Sequence, residues 1–200
     1  MTEISNNSIL FIGLANEYCQ TLESCANYEK NEFVDKLLKL LPRIYIAISD
    51  FNETEIDDSV IIDSYLDEIY YDSVRRKLET LIGEDDTILE VFESDMKFSD
   101  TPIAVSISEY LADIFQYLYD FLHAAKDATS DQINECMSFC KDNFKVVWGQ
   151  TLCNVLRALH HIKYEYNLYH YGTDKCLFVV GFSRQQPMQL LCHCNNPTLS

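Results

Sequence analysis

The side chains best suited to chemistry lie on two long segments in the second half of the chain. On each segment, polar residues recur at steps of three and four, so each set occupies one helical face. The sets are Glu109, Asp113, Gln116 and Asp120 on the first segment, and Gln150, Asn154, Arg157 and His161 on the second. Consecutive helices joined by a short connection usually pack antiparallel, which makes an ion pair between Arg157 and Asp113 or Glu109 feasible. Because each set lies opposite its own helix's apolar stripe, two solvated faces are favoured over a buried ion pair or a ligand-binding cleft.

Paired carboxylates could also hold a metal ion. Glu90-Val-Phe-Glu93 and Glu109-Tyr-Leu-Ala-Asp113 loosely resemble the acidic motifs with which helical nucleotide pyrophosphatases hold magnesium, but the second spacing is one residue too long. The chain also lacks the Glu-x-x-His pair of di-metal bundles. We therefore predict no metal site and no cofactor. A metal-dependent hydrolase acting on a nucleotide-like substrate, with Glu109 and Asp113 as ligands, is kept as the alternative.

Other catalytic and metal motifs are weak. Neither a Gly-x-Ser-x-Gly elbow nor a glycine-rich phosphate loop occurs in the chain, so we predict no catalytic residue. Cys192-His193-Cys194 leaves adjacent side chains little room to converge on zinc. The eight cysteines are expected to be free thiols, because a chain of 200 residues with 48% hydrophobic residues does not need disulfides to fold.

The charge of the chain limits its partners. There are 15 basic and 32 acidic residues, and residues 50–100 hold 17 of the acidic ones against four basic ones. Such a surface repels nucleic acid and anionic lipid, so direct binding to either is not expected. A solvated surface is the favoured interpretation, and an acidic patch that attracts a basic partner is the sharper one. Neither an export signal nor a membrane span is visible, so a cytoplasmic location is predicted.

Several long helices are predicted to carry these residues. Only nine residues are Gly or Pro, which favours few, long elements. Apolar residues recur with helical spacing over residues 8–26 and 29–49, over 103–125, and from 129 or 130 to about 165. Pro42 should kink or split the second of these helices. Gly149 lies inside the last one, which suggests a close packing contact there.

Shorter elements are predicted between the second and third long helices. We expect a loop over residues 50–59, a short helical piece over 60–69, and a helix from Asp72 or Ser73 to a left-handed Gly83. A brief helical turn should then contain Ile88, Leu89 and Phe92. Ser99-Asp100-Thr101-Pro102 combines capping residues with a proline and should start the next helix.

Four segments together resemble a bacterial family of all-helical domains of unknown function. They are Leu40-Leu-Pro-Arg-Ile-Tyr45, residues 71–86, residues 109–121 and Trp148-Gly-Gln-Thr-Leu-Cys-Asn-Val-Leu-Arg-Ala-Leu-His160. The resemblance covers about residues 8–165 and implies an all-helical fold, with no catalytic residue to carry over.

The last part of the chain differs in character. Residues 168–200 contain one acidic and two basic residues and include the strand-like Cys176-Leu-Phe-Val-Val-Gly-Phe182. A shifted reading frame, an added strand and a partner-binding segment are all compatible with this composition. We predict an all-α, single-domain antiparallel bundle of five to seven helices over residues 1–167, followed by an atypical tail over 168–200.

The tyrosines and acidic residues before the middle of the chain suggest a binding surface. Tyrosine offers a large area with a polar tip, which suits protein interfaces, although packing at the edge of the core is the more common use. The candidate surface consists of Tyr65, Asp67, Glu68, Tyr70 and Tyr71. The leading hypothesis is a non-enzymatic acidic interaction or regulatory module with a protein partner, and the oligomeric state is left open.

Overall fold

We describe residues 4–52, 64–90 and 103–170 of a computed structural model of the chain, with side chains in the last helix described as far as Tyr164. These residues form six α-helices and one two-stranded antiparallel sheet. The helices are α1 (Asn6–Glu23), α2 (Lys30–Ser49), α3 (Glu68–Ile82), α4 (Ile107–Ala125), α5 (Ser130–Asn143) and α6 (Gly149–His170), and the strands are β1 (Thr87–Glu90) and β2 (Ile103–Ser106). The all-α fold class is confirmed.

The described residues lie within a unit that runs from Met1 to His170, and residues 171–200 are not described. The strand-like segment and the cysteine cluster of the tail therefore lie outside the described residues, as do residues 53–63 and 91–102. None of the described helices combines the length and the apolar character that a membrane crossing requires.

Helices α1 and α2 form where the apolar spacing predicts them. The Ser5 hydroxyl accepts the Ser8 N–H and caps α1. Of the two outcomes expected at Pro42, a split is wrong, because α2 runs unbroken from Lys30 to Ser49. Leu37 and Leu41 before the proline and Ile44 after it are all fully buried. Burying this continuous face outweighs the roughly 3 kcal/mol that an internal proline costs.

Helix α3 begins earlier than the sequence predicts. Asp67, not Asp72 or Ser73, caps it, and its carboxylate accepts the Tyr70 N–H at 2.7 Å. Of the short helix expected over 60–69, residues 60–63 lie outside the described residues, and residues 64–67 precede α3. Gly83 ends α3 with a φ of 66°, so the positive φ predicted there is confirmed, although its ψ of −130° lies outside the left-handed helical region.

A β-hairpin replaces two helical predictions. Thr87–Glu90 form a strand, not a helical turn, and pair with Ile103–Ser106 in the register Thr87↔Ser106 to Glu90↔Ile103. Helix α4 therefore begins at Ile107 and not at Pro102. The Ser106 hydroxyl caps α4, and the carboxylate of Asp86 accepts hydrogen bonds from Ser106 Oγ, Ser108 N and Ser108 Oγ. These bonds tie the hairpin to the start of α4.

The long helix predicted after residue 129 is interrupted by a π-helical turn. Residues Phe144–Trp148 form this turn between α5 and α6. A Cβ atom on Gly149 would lie 2.5 Å from the Phe144 carbonyl oxygen and 2.9 Å from Cε2 of its ring. The close contact predicted at Gly149 is confirmed, and the π turn itself supplies it.

Helix α4 lies at the centre of the bundle. It packs against α1, α3, α5 and α6, while α2 packs against α1 and α6. Phe11 of α1 and Phe121 of α4 are in ring contact, with centroids 5.3 Å apart. Tyr18 is fully buried, and its hydroxyl donates to the Leu111 carbonyl at 2.9 Å. The core thus fixes which face of α4 remains free for α3 and for solvent.

Candidate binding surface

Four aromatic side chains form a continuous row along α4 and the start of α3. Tyr65 stacks on His123 with ring centroids 5.8 Å apart, and His123 stacks on Tyr119 at 4.0 Å. Tyr70 then meets Tyr119 edge to face at 5.8 Å. We call Tyr65, His123, Tyr119 and Tyr70 the aromatic row. Two of its members were predicted as binding residues, and the structure brings them together through two residues of α4.

Local hydrogen bonds fix the position of the row. Tyr119 and His123 are one helical turn apart on α4, and His123 Nδ1 lies 2.9 Å from the Tyr119 carbonyl oxygen. Asp120 Oδ1 accepts the backbone N–H groups of Tyr65 and Leu66 at 2.8 and 2.9 Å. Leu66 is buried and anchors the segment. Asp120 therefore holds the residues that lead into α3 against α4.

Carboxylates surround the row. The Tyr70 hydroxyl donates to Glu23 Oε1 of α1 at 2.7 Å. Burial raises the pKa of the Tyr119 phenol, and the negative charges of Glu23, Asp120 and Asp67 raise it further. Burial also raises the pKa of the Asp120 carboxyl, which the two backbone N–H groups partly offset. Three carboxylates thus act on a single phenol ring.

Part of this surface is open to solvent and apolar. Ile69 is 85% exposed and Tyr65 is 48% exposed. The row borders an open recess of about 550 Å³, which we call the α3 recess. It is lined by Asp67, Ile69, Tyr70, Ser73 and Tyr119. Tyrosine is enriched at protein interfaces, and here tyrosine rings lie beside an exposed apolar side chain.

The remaining residues of the predicted tyrosine patch have different surroundings. The Tyr71 hydroxyl donates to Asp113 Oδ1 at 2.7 Å, and Tyr71 is half-buried between α3 and α4. Burial raises the Tyr71 pKa, as does the hydrogen bond to Asp113. Glu68 is exposed in the first turn of α3, beside Asp67. Tyr71 therefore connects α3 with α4, and Glu68 adds a negative charge to the solvent-exposed side of α3.

The polar residues predicted on the last two long helices have separate roles. Asp113 is bound to Tyr71 of α3, and Glu109 is exposed near the start of α4. Asn154 is buried and accepts the Gln150 side-chain amide at 3.0 Å. Arg157 and His161 are exposed on α6, and within the described residues no ion pair joins Arg157 to Asp113 or Glu109.

The described part of the chain contains no cluster of side chains suited to bind a metal ion. No group of three His, Cys, Asp or Glu side chains there could hold a metal ion. Glu93 of the first acidic motif lies outside the described residues, as do Cys192 and Cys194. The five described cysteines (Cys19, Cys25, Cys136, Cys140 and Cys153) are free.

Sequence reasoning missed Glu23, Ile69, Tyr119 and His123. The spacing of Tyr119 and His123 on either side of Asp120 could have indicated an aromatic pair on one face of α4. Glu23 gave no such signal, because it reaches Tyr70 only through the packing of α1 against α3.

Comparison with known proteins adds a family and one solved structure. A family model described as a domain of unknown function (DUF5063) matches residues 2–165. The crystal structure of protein BF1032 from Bacteroides fragilis, a structural genomics target, is similar with a TM-score of 0.70 and 32% sequence identity. The match covers 80% of this chain and 94% of that one. No curated protein matches the chain.

Proposed function

Because the chain belongs to DUF5063, a family of domains of unknown function, no activity follows from its membership, and we propose from its surface that it is a non-enzymatic interaction module for a basic protein segment. The observation that carries the proposal is the aromatic row with Glu23, Asp67 and Asp120 around it. Rings supply contact area at little entropic cost, and the carboxylates select a positive partner.

The charge of the whole chain supports the same partner chemistry. A net charge of −17 attracts cationic segments over long distances and disfavours nucleic acid and anionic lipid. The five described cysteines are free, which is compatible with a reducing compartment, so we keep a cytoplasmic location as part of the proposal.

The hydrolase alternative gains less support. Asp113 is already the acceptor for Tyr71, Glu109 is exposed, and the described residues offer no third ligand beside them. Magnesium sites of this kind need several converging carboxylates. We therefore propose binding and not hydrolysis.

A pair of charge-matched variants tests the proposal. In the surface variant, Glu23→Gln, Asp67→Asn and Glu68→Gln remove three charges from the candidate surface. The amide introduced at position 23 can still accept the Tyr70 hydroxyl, and the amide introduced at position 67 can still cap α3. In the control variant, Glu32→Gln, Asp50→Asn and Glu84→Gln remove three charges from exposed positions on α2, at its C-cap and after α3.

The probe is a fluorescein-labelled peptide in which lysine and arginine alternate with serine, and binding is measured by fluorescence anisotropy at low ionic strength. We expect the surface variant to bind at least about threefold more weakly than the control variant. Each lost contact between a carboxylate and a cation of the peptide removes part of the binding free energy, and about 1.4 kcal/mol corresponds to a tenfold change in Kd. Equal loss in both variants would mean diffuse attraction to a negative protein and would refute the proposed surface. Absence of binding by the wild type would refute the function.

A further inference from the structure

The α3 recess is an open depression whose lining suits a flat cation. Tyr70 and Tyr119 both line it, and their rings are in contact, with planes at 60° and centroids 5.8 Å apart. Ile69 lines the recess with an apolar side chain, and Ser73 and Asp67 add polar atoms. A group that enters it would contact aromatic surface and a carboxylate at the same time.

Asp67 can bind such a group without giving up its structural role. Its Oδ1 accepts the Tyr70 N–H, and within the described part of the chain its Oδ2 accepts no hydrogen bond. The neighbouring Glu68 is exposed and adds a second negative charge at the same helix start. Burial raises the pKa of the Tyr119 phenol, and the negative charges of Glu23 and Asp120 raise it further.

The chain's own arginines on α3 are engaged elsewhere. Arg75 pairs with Asp72 and Glu79, and Arg76 pairs with Asp72. Both lie further along α3 than the residues of the recess. Within the described part of the chain, no basic side chain lines the recess, which leaves the cation for a partner to supply.

We propose that the α3 recess binds an arginine side chain of the partner and prefers it to lysine. A guanidinium is planar and weakly hydrated, so it can stack on a tyrosine ring while its N–H groups donate to a carboxylate such as Asp67. A lysine ammonium is compact and strongly hydrated, and it gains less from a flat aromatic wall. This inference rests on the proposed function and specifies its ligand.

Three labelled peptides of identical length test the preference, with arginine, lysine or citrulline alternating with serine. Citrulline keeps the planar shape of arginine and lacks its charge. We expect the wild-type chain to bind the arginine peptide about three- to tenfold more tightly than the lysine peptide, and the citrulline peptide most weakly. Anisotropy is measured at the same ionic strength for all three.

Tyr119→Leu removes the ring and retains an apolar side chain, so it should abolish the preference for arginine. Tyr119→Phe keeps the ring and should retain the preference. Tyr117→Leu on the same helix is the matched control, because Tyr117 does not line the α3 recess, and it should bind both peptides as the wild type does. Asp67→Asn, which can still cap α3, should weaken binding of the arginine peptide and gives a second variant if Tyr119→Leu does not fold.

The outcomes separate the two proposals. Equal binding of the arginine and lysine peptides would overturn the arginine pocket and leave the interaction module standing. A preference for arginine that survives Tyr119→Leu unchanged would also overturn the proposal, since a ring that lines the recess would then contribute nothing to the preference. If neither peptide binds the wild type, the proposed function itself fails.

Discussion

A half-buried carboxylate can connect two helices and still lower the stability of the fold when it is charged. Asp113 accepts the Tyr71 hydroxyl at 2.7 Å and so connects α4 with α3. Burial raises the pKa of its carboxyl, and the hydrogen bond from Tyr71 only partly opposes this. The charged form is therefore less stable in the folded chain than in the unfolded one.

The stability of the fold should depend on pH through Asp113 in a defined direction. Its folded pKa lies above the unfolded value of about 3.9, so its stabilising contribution is complete below about pH 4 and is lost as the pH rises through the folded pKa. In Asp113→Asn, which retains an acceptor for Tyr71, the free energy of unfolding should fall less over this range. Urea denaturation between about pH 4 and pH 7 measures the difference. An unchanged slope in Asp113→Asn would contradict the assignment.

We expect removal of the Asp86 side chain to cause a larger loss of unfolding free energy. Its buried carboxylate accepts three hydrogen bonds from Ser106 and Ser108. Asp86→Ala would leave the buried Ser108 N–H and hydroxyl without this acceptor, and we expect a loss of about 2–4 kcal/mol of unfolding free energy. Chemical denaturation measures it. Glu84→Ala, at an exposed position two residues earlier, should change stability by no more than about 0.5 kcal/mol. A similar effect of both substitutions would show that the hydrogen bonds to Asp86 contribute little.

At the scale of elements, the π turn determines the requirement for glycine at position 149. An added Cβ would meet the Phe144 carbonyl and ring, so Gly149→Ala requires the helix or the Phe144 side chain to move. We expect a loss of about 1–3 kcal/mol, seen as a lower thermal midpoint. Gly13→Ala is the matched control, because Gly13 is exposed on α1 and nothing lies within 4 Å of its added Cβ, and it should stabilise the chain by about 0.5–1 kcal/mol. If Gly149→Ala were equally stabilising, the π turn would not be the constraint.

The helical rhythm of the apolar residues predicts most elements, because a helix is the regular structure that places residues three and four apart on one buried face. Helices α1, α2 and the body of α4 lie where it places them, with Leu111 and Leu118 buried on α4. The rhythm fails at the hairpin, because Ile88 and Leu89 are too few to distinguish a strand from a helical turn. It also passes through the π turn, whose extra residue per turn shifts the spacing only slightly.

The candidate surface could be predicted in part for a related reason. Tyr65, Asp67 and Tyr70 are close in sequence, so their clustering is visible without a structure. Tyr119 and Glu23 come from distant helices, and only the packing of α1 and α3 on α4 brings them to Tyr70. The local sequence pattern therefore predicts a binding patch, but only the tertiary packing determines which rings and carboxylates form it.

At the scale of the whole molecule, the excess of acidic residues acts on stability and on binding in opposite ways. With 32 acidic and 15 basic residues, like-charge repulsion destabilises the compact chain. The described ion pairs, such as Arg76 with Asp72 and Lys145 with Asp142, are mostly exposed, and pairs of this kind contribute about 0–1 kcal/mol each. Screening should therefore relieve more repulsion than it removes attraction.

Added sodium chloride should consequently raise the thermal midpoint while it weakens binding of the basic peptide. Screening that relieves about 1 kcal/mol of repulsion would raise the midpoint by about 2–4 °C for a chain of this size. Circular dichroism and anisotropy on the same samples measure the two effects. A chain that carries both triple substitutions has six fewer negative charges, so its midpoint should respond less to salt than that of the wild type. A fall in the wild-type midpoint would mean that ion pairs dominate its electrostatics, and the acidic surface would then be a structural network instead of a field available to a partner.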